Sequence, residues 1–214
     1  MNGLFVDLDG TLADSLDVMR RVYFQFLSDF GRAGSDGEFD SLNGPPLRTV
    51  IERLQKTHRL DGAISDLRGH YGLLITDCYR NVEPAEGARE LLVAARHHGW
   101  PAAVVTSNDK KLATGWLEST GLQEWIDVVV GGEDVTHGKP SPEAYETALR
   151  RTRCSASGSI AVEDSLPGAE AARGAGLRTF LLRPDGSPDD SETKDFHLIA
   201  GLRHIIPWLS NVQR

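Results

Sequence analysis

The sequence predicts an α/β protein, with a Rossmann-like parallel sheet core and an inserted helical domain. Short apolar runs alternate with amphipathic helical patterns over most of the chain, which is typical of βαβ units. Residues 16–80 interrupt this alternation and hold helical patterns only. A length of 214 residues allows one domain, or one domain with a modest insert. We therefore expect a core domain formed by residues 1–15 and 81–214, and a helical domain formed by residues 16–80.

Five segments are predicted to be strands buried on both faces, because they are short, apolar and bounded by glycine or proline. These are 3–6, 101–105, 126–130, 158–162 and 178–182. A strand that returns to its sheet through a helix does so with right-handed connectivity, so the sheet is expected to be parallel.

Helical periodicity is found between the predicted strands and throughout the insert. The predicted helices are 86–98, 110–120, 141–151 and 168–175 in the core, and 16–30, 47–56 and 63–79 in the insert. Ser141 is a good N-cap with Pro142 in the first turn, and Gly121 and Gly176 are typical of helix ends.

Composition excludes several classes of protein. Hydrophobic residues make up 40% of the chain and charged residues 25%, which argues against disorder. The net charge of −8 argues against sequence-independent binding of nucleic acid. No apolar stretch approaches the ~18 residues expected of a membrane span. The two cysteines, Cys78 and Cys154, indicate neither a zinc site nor a disulfide framework, so we expect a cytoplasmic protein.

The strongest local feature is Asp7-Leu8-Asp9-Gly10, which directly follows the first predicted strand. Ligands of open α/β sheets bind beyond the carboxyl ends of the strands, which is where these two carboxylates are placed. One carboxylate suits a nucleophile or a metal ligand, and the other suits an acid/base. Taken alone, Asp-Gly is also a common turn dipeptide.

Further polar residues follow later predicted strands in order. Thr106-Ser107-Asn108 and Glu163-Asp164 each come at a strand end, and Lys139 lies within Gly138-Lys139-Pro140. Separately, each has an ordinary explanation: strand-end hydroxyls, an acidic pair at a helix N-terminus, or a solvated lysine. Their occurrence together and in order favours one shared site.

The segment Phe-Val-Asp-Leu-Asp-Gly-Thr-Leu at the first strand resembles the first motif of the haloacid dehalogenase superfamily, in its phosphohydrolase form. The segments around Thr106, Lys139 and Glu163-Asp164 resemble the second, third and fourth motifs in the expected order. The resemblance extends over most of the chain.

The resemblance implies a role for each matching residue. Asp7 is the implied nucleophile, which forms an aspartyl-phosphate, and Asp9 is the implied acid/base. The implied cofactor is Mg²⁺. Its implied protein ligands are Asp7, Asp9 and Asp164, with Glu163 binding directly or through water. The implied phosphate-binding residues are Thr106, Ser107, Asn108 and Lys139.

The insert resembles the small helical cap of phosphoglycolate phosphatase-like and β-phosphoglucomutase-like members. Asn43-Gly44-Pro45-Pro46-Leu47 resembles the substrate-facing loop of that cap, so Gly44, Leu47 and Arg48 are the predicted substrate-selecting residues. Cap cations, Arg48 among them, are candidates to meet an additional anionic group of the substrate.

The predicted function is Mg²⁺-dependent hydrolysis of a small phosphorylated metabolite, with no nucleic-acid or membrane partner and the oligomeric state left open. The acidic Asp9 disfavours dehalogenation, which needs no proton donor for a leaving alcohol. Two alternatives remain: a β-phosphoglucomutase-like phosphoryl transferase, and a non-catalytic binding protein on the same fold. Met19 and Leu47 disfavour the mutase, since mutases usually carry a histidine and an arginine at these positions.

Overall fold

A computed structural model describes residues 1–42, 44–184 and 193–211. Within them, six strands form one parallel sheet in the order β3-β2-β1-β4-β5-β6. The strands are β1 (Leu4–Val6), β2 (Ala102–Val105), β3 (Val128–Val130), β4 (Ile160–Glu163), β5 (Arg178–Leu182) and β6 (His197–Ile199). Val6 at the end of β1 pairs with Val104 of β2 and Val162 of β4. This is the strand order of doubly wound dinucleotide-binding folds, and it confirms the predicted fold class.

In the described part of the chain, four helices lie between β1 and the rest of the core: α1 (Leu16–Asp29), α2 (Asp36–Ser41), α3 (Leu47–His58) and α4 (Ile64–Tyr79). The remaining helices are α5 (Ala88–His97), α6 (Lys110–Thr120), α7 (Glu143–Thr152), α8 (Leu166–Gly174) and α9 (Ile206–Asn211). Short 3₁₀ turns at Gln123–Trp125, Gly132–Asp134, Ala156–Gly158 and Leu202–Ile205 complete the connections.

All five predicted strands are present, but β3 is less buried than expected. Val128 and Val129 are only half-buried, because β3 is an edge strand. The sequence did not predict α2, β6 or α9, which are three to six residues long and carry little periodicity. The predicted acidic loop at 184–192 lies outside the described residues, apart from Pro184.

Four helix starts differ from the prediction: α4 begins at Ile64 instead of residue 63, and α5 begins at Ala88 instead of residue 86. The other two are the starts of α7 and α8. Helix α7 begins at Glu143, so Pro142 rather than Ser141 takes the N-cap position. Helix α8 begins two residues earlier than predicted, at Leu166, because the Ser165 hydroxyl accepts a hydrogen bond from the Gly168 N–H at 3.2 Å and caps the first turn.

The core has two layers, one on each face of the sheet, because side chains alternate along a strand. Phe5 and Ala103 face one side, together with Ala144 and Tyr145 of α7 and Ala171 of α8. Leu4, Val6 and Val104 face the other side, which α5, α6 and α9 cover. Both faces of the central strands are therefore buried, as their apolar sequences predict.

The inserted helices form their own layer of apolar contacts. Helix α4 packs against both α1 and α3, and Tyr23, Phe26, Ile51 and Leu54 are fully buried. The two segments that join these helices to the sheet lie side by side. The Ala85 N–H donates to the Leu12 carbonyl at 2.8 Å, and the Asp14 N–H donates to the Glu83 carbonyl at 3.0 Å. The chain thus leaves the sheet and returns to it through one hydrogen-bonded neck.

No helix in the described ranges has the length and apolar character needed to cross a membrane. Cys78 and Cys154 are both free thiols, as the sequence predicts. The cytoplasmic location stays a prediction.

Candidate active site

The carboxyl ends of β1, β2 and β4 bring the predicted site residues to one edge of the sheet. Asp7 follows β1, Thr106 follows β2, and Glu163 is the last residue of β4. The strand order reverses between β1 and β4, so the core helices that follow them, α5 and α8, cover opposite faces of the sheet. A crevice therefore opens at this point of the sheet edge.

Gly10 shapes the turn after β1. Its φ of 75° lies in the left-handed region that favours glycine, and a Cβ there would lie 2.9 Å from Cγ of Asp164. A side chain at this position would therefore displace the Asp164 carboxylate. The glycine lets the loops after β1 and β4 come close enough for Asp7 and Asp164 to share one site.

Lys139 lies at the centre of a buried ionic cluster, with its side chain only 3% exposed. Its Nζ donates hydrogen bonds to Asp7 Oδ1 at 2.6 Å, to the Val105 carbonyl at 3.0 Å and to Glu163 Oε1. Burial alone lowers the pKa of Lys139, but the carboxylates of Asp7 and Glu163 raise it overall. The lysine therefore stays charged, although it is out of contact with water.

Tyr145 completes the surroundings of Glu163. The only signal for this role in the sequence is an aromatic residue on an apolar helix face. Its hydroxyl donates to Glu163 Oε1 at 2.5 Å, and the Lys139 ammonium lies 5.5 Å from the centre of its ring. Gly168 packs directly against the Glu163 carboxylate. Glu163 Oε1 is thus held by two donors, Lys139 and Tyr145.

The buried carboxyl group of Asp7 is difficult to ionise. Burial raises its pKa to about 8; Lys139 opposes this shift, while Glu163 and Asp9 add to it. Asp7, Glu163 and Asp164 each offer a carboxylate oxygen within 4.8 Å of the others. Three carboxylates against one ammonium leave an excess of negative charge that a divalent cation would balance. Oxygen donors of this kind fit Mg²⁺.

Asp9 is held by donors from three parts of the chain. Tyr79 Oη and Ser15 Oγ donate to its Oδ1 at 2.7 and 2.9 Å, and Asn108 Nδ2 donates to its Oδ2 at 2.7 Å. Tyr79 ends α4 and is buried, and burial together with the nearby Asp9 raises its pKa well above the usual value. Neither Tyr79 nor Ser15 was among the predicted site residues.

The loop Gly44–Pro46, between α2 and α3, lies against the same edge of the sheet. Ser107 Oγ donates to the Gly44 carbonyl at 2.8 Å, and Pro46 packs on Gly138. Asn43, which belongs to the predicted substrate-facing loop, lies outside the described residues. The insert thus contacts Ser107 and Gly138, which are sequence neighbours of Thr106 and Lys139.

A cleft of about 740 Å³, counting the space open to solvent at its mouth, lies between the sheet edge and the inserted helices. Its sheet side, which we call the polar floor, carries the predicted catalytic, metal-binding and phosphate-binding residues apart from Glu163. These are Asp7, Asp9, Thr106, Ser107, Asn108, Lys139 and Asp164, with Ser165 beside them.

The predicted substrate-selecting residues divide into two groups. Gly44 and Leu47 line the cleft. Arg48 does not: its side chain is 72% exposed and forms an ion pair with Glu52 on the outer face of α3 at 2.9 Å.

The fold and the site together define a class of enzyme: a doubly wound α/β domain with a buried Asp–Lys–acid cluster at the switch point and helices that cover it. Residues 4–182 match the model of the haloacid dehalogenase-like hydrolase family. This chain belongs to that family, as the resemblance of its motifs predicts.

Individual relatives agree with this assignment. The chain is 31% identical to a plasmid-encoded phosphoglycolate phosphatase of Cupriavidus necator, over 84% of this chain and 80% of that protein. It is 22% identical to a bifunctional riboflavin kinase/FMN phosphatase of Arabidopsis thaliana, over 98% of this chain but only 54% of the plant protein. In fold it is similar to CbbY of Rhodobacter sphaeroides solved with phosphate, with a TM-score of 0.84, 24% identity and 96% coverage of both chains.

Proposed function

We propose that the protein is a Mg²⁺-dependent phosphatase that hydrolyses a small phosphate monoester through an aspartyl-phosphate on Asp7. The observation that carries this proposal is the buried contact between Asp7 and Lys139, at the edge of a cleft that also holds Asp9, Thr106 and Asp164. A carboxylate nucleophile attacks an anionic phosphoryl group only where positive charge offsets their repulsion, and Lys139 supplies part of it.

Asp7 and Asp9 divide the chemistry between them in this proposal. Asp7 attacks phosphorus and displaces the alcohol, while Asp9 gives the alcohol its proton. Asp9 then takes a proton from water, which cleaves the phosphoryl group from Asp7. Tyr79, Ser15 and Asn108 hold the Asp9 carboxylate in place for both proton transfers.

The polar groups after β2 complete the phosphoryl site. Thr106 Oγ1 accepts a hydrogen bond from the Asn108 N–H at 3.0 Å, so its own hydroxyl hydrogen is available for a phosphoryl oxygen. Ser107 and Asn108 line the same cleft and are proposed as further donors. In the structure the Ser107 hydroxyl donates a hydrogen bond to the Gly44 carbonyl, so it also links the inserted helices to this site.

The metal would be held by the carboxylates of Asp7 and Asp164 and by the backbone carbonyl of Asp9. Bound Mg²⁺ supplies charge neutralisation for the phosphoryl oxygens. We assign Glu163 mainly to Lys139, because Oε1 of Glu163 already accepts from Lys139 and Tyr145. Asp164→Ala should therefore weaken Mg²⁺ binding, measured by calorimetry, more than Glu163→Gln does.

The nucleophile is tested by Asp7→Asn, assayed on 4-nitrophenyl phosphate with and without Mg²⁺. We expect turnover to need Mg²⁺ and to disappear in the variant, because an amide is a poor nucleophile. Asp17→Asn is the matched control, since Asp17 is exposed on α1 away from the cleft. Mass spectrometry of acid-quenched wild-type enzyme should find one phosphoryl group on Asp7. Near-native turnover of freshly purified Asp7→Asn would overturn the assignment.

A further inference from the structure

The cap side of the cleft is built almost entirely from hydrocarbon. We call this surface the apolar roof; its principal side chains are Met19, Phe39, Leu42, Leu47, Val50 and Ile75. They come from α1, α2, α3 and α4 and their connections, so the surface is shared by the whole insert. Among the described roof residues, Tyr71 alone adds a polar side-chain atom.

The cations of the insert face away from the cleft. Every arginine and lysine between residues 16 and 80 is exposed, and several are already paired. Arg20 pairs with Asp36, Arg48 pairs with Glu52, and Arg53 donates to the Ser41 carbonyl. Among the described residues, Lys139 on the polar floor is the only cation that lines the cleft.

From this arrangement we infer that the enzyme takes phosphate esters of uncharged, largely apolar alcohols. The inference deepens the proposed function and rests on it for the phosphoryl end of the ligand. The roof would receive the leaving group, and burying its hydrocarbon there is favourable. A carboxylate or second phosphate on the leaving group would lose its water against hydrocarbon, with no cation to replace it. Phosphoglycolate, which the Cupriavidus relative is named for, carries such a carboxylate.

The test uses alkylphosphonates, which cannot be hydrolysed, so binding is measured apart from catalysis. Ethyl-, propyl- and butylphosphonate are titrated into the full-length protein with Mg²⁺ by calorimetry. Each methylene that enters the roof should lower the dissociation constant about fourfold. 3-Phosphonopropionate, with the same number of carbons as propylphosphonate but a terminal carboxylate, should bind at least tenfold more weakly.

A matched pair of variants locates the binding surface. Val50 in the roof and Val18 outside the cleft are both 7% exposed. Val→Thr therefore places a hydroxyl group at an equally buried position in each variant, with almost no change in side-chain size. Val50→Thr should weaken butylphosphonate binding at least threefold while changing ethylphosphonate binding much less. Val18→Thr should leave the whole series unchanged.

The outcomes separate this inference from the proposed function. Equal affinities along the alkyl series, or tighter binding of 3-phosphonopropionate, would overturn the apolar substrate class. Hydrolysis of 4-nitrophenyl phosphate would then still support the phosphatase. Conversely, a graded alkyl series without hydrolysis of any ester would support the apolar site and defeat the phosphatase.

Discussion

At the scale of single residues, the Asp9 carboxylate accepts hydrogen bonds from both the insert and the core. Tyr79 belongs to the insert, Ser15 to the neck and Asn108 to the core, and all three donate to Asp9. In the proposed reaction, this arrangement fixes the direction in which Asp9 delivers its proton. A residue that acts through Asp9 should matter most when the leaving group needs that proton.

We therefore expect Tyr79→Phe to lower kcat/KM for alkyl phosphates by about tenfold, a part of the ~10²–10⁴-fold typical of general acid–base catalysis. This constant covers the step in which the alcohol leaves but not the later hydrolysis of the aspartyl-phosphate, which is common to all esters. Hydrolysis of 4-nitrophenyl phosphate should change by less than threefold, because nitrophenolate leaves without protonation. Asp9→Asn should show the same dependence on leaving group, but more strongly. The measurement is kcat/KM for both ester types with saturating Mg²⁺.

Tyr23→Phe is the control for loss of a buried tyrosine hydroxyl, because Tyr23 is bonded to Glu38 and Ser35 away from the cleft. Tyr23→Phe should lower the rate of hydrolysis slightly, and by the same factor for both esters. If Tyr79→Phe also slowed both ester types equally, Tyr79 would have only a packing role.

At the scale of elements, the segment that carries Lys139 is tied to α7 by Asp134. Arg151 Nη2 donates to Asp134 Oδ1 at 2.6 Å, and the Gly131 N–H donates to Oδ2 at 3.1 Å. The hydrogen bond from Arg151 lowers the pKa of Asp134 to about 2, although partial burial opposes the shift. This contact holds the 3₁₀ turn after β3 against the C-terminal part of α7.

A pKa lowered in the folded state means that the ionised carboxylate stabilises the fold above its ordinary pKa of about 4. That stabilisation is lost as the pH falls towards 2. Asp134→Asn should lower the free energy of unfolding by about 1 kcal/mol at pH 7, less than the full shift gives, since the Arg151 side chain is 38% exposed. The difference from wild type should shrink steadily between pH 5 and pH 2 in urea unfolding.

Asp195→Asn is the matched control, because Asp195 and its partner Arg173 are both about half exposed. An exposed pair contributes little, so this variant should change stability by less than about 0.5 kcal/mol at any pH. A difference for Asp134→Asn that did not depend on pH would contradict the ion-pair explanation.

At the scale of the whole molecule, the Gly44–Pro46 loop rests on the sheet edge, and Gly44 and Pro45 line the cleft. We propose that residues 16–80 act as a cap domain that must lift at the neck around Ser15 and Val82 for substrate to enter. A Cβ at Gly138 would lie 3.5 Å from the Cβ of Pro46, which is within the range that a disulfide spans.

The double variant Pro46→Cys/Gly138→Cys, with Cys78 and Cys154 replaced by serine, should therefore form a disulfide that holds the loop on the sheet edge. We expect the oxidised protein to lose most of its turnover on 4-nitrophenyl phosphate and to regain it when the disulfide is reduced. Pro46→Cys alone in the same background should show no such redox dependence. Full turnover of the fully oxidised double variant would show that the cap need not open.

The order of strands and helices in this protein can be predicted from its pattern of apolar and polar residues alone. Apolar strands separated by amphipathic helices can bury both faces only in a covered parallel sheet, so the fold class follows from the pattern. Polar residues that follow β1, β2 and β4 meet at one edge of a parallel sheet, so the sequence predicts that Asp7, Asp9, Thr106 and Asp164 lie together, and all four line the cleft. Their roles in a reaction stay predictions. Residues 16–80 carry helical patterns only, and the described part of that range holds α1 to α4 and no strand. That these helices form a separate domain stays a prediction.

Tertiary structure decided which distant side chains complete the site. Tyr79 and Tyr145 lie on helices where sequence periodicity indicates only burial, and their hydrogen bonds to Asp9 and Glu163 depend on packing across long stretches of chain. The sequence also could not show where the Arg48 side chain points. A cation at the start of a helix can point inward, or it can pair with a residue one turn later, as Arg48 does with Glu52. Local patterns fix strands, helices and their order, whereas contacts between elements are set by how all of them pack at once.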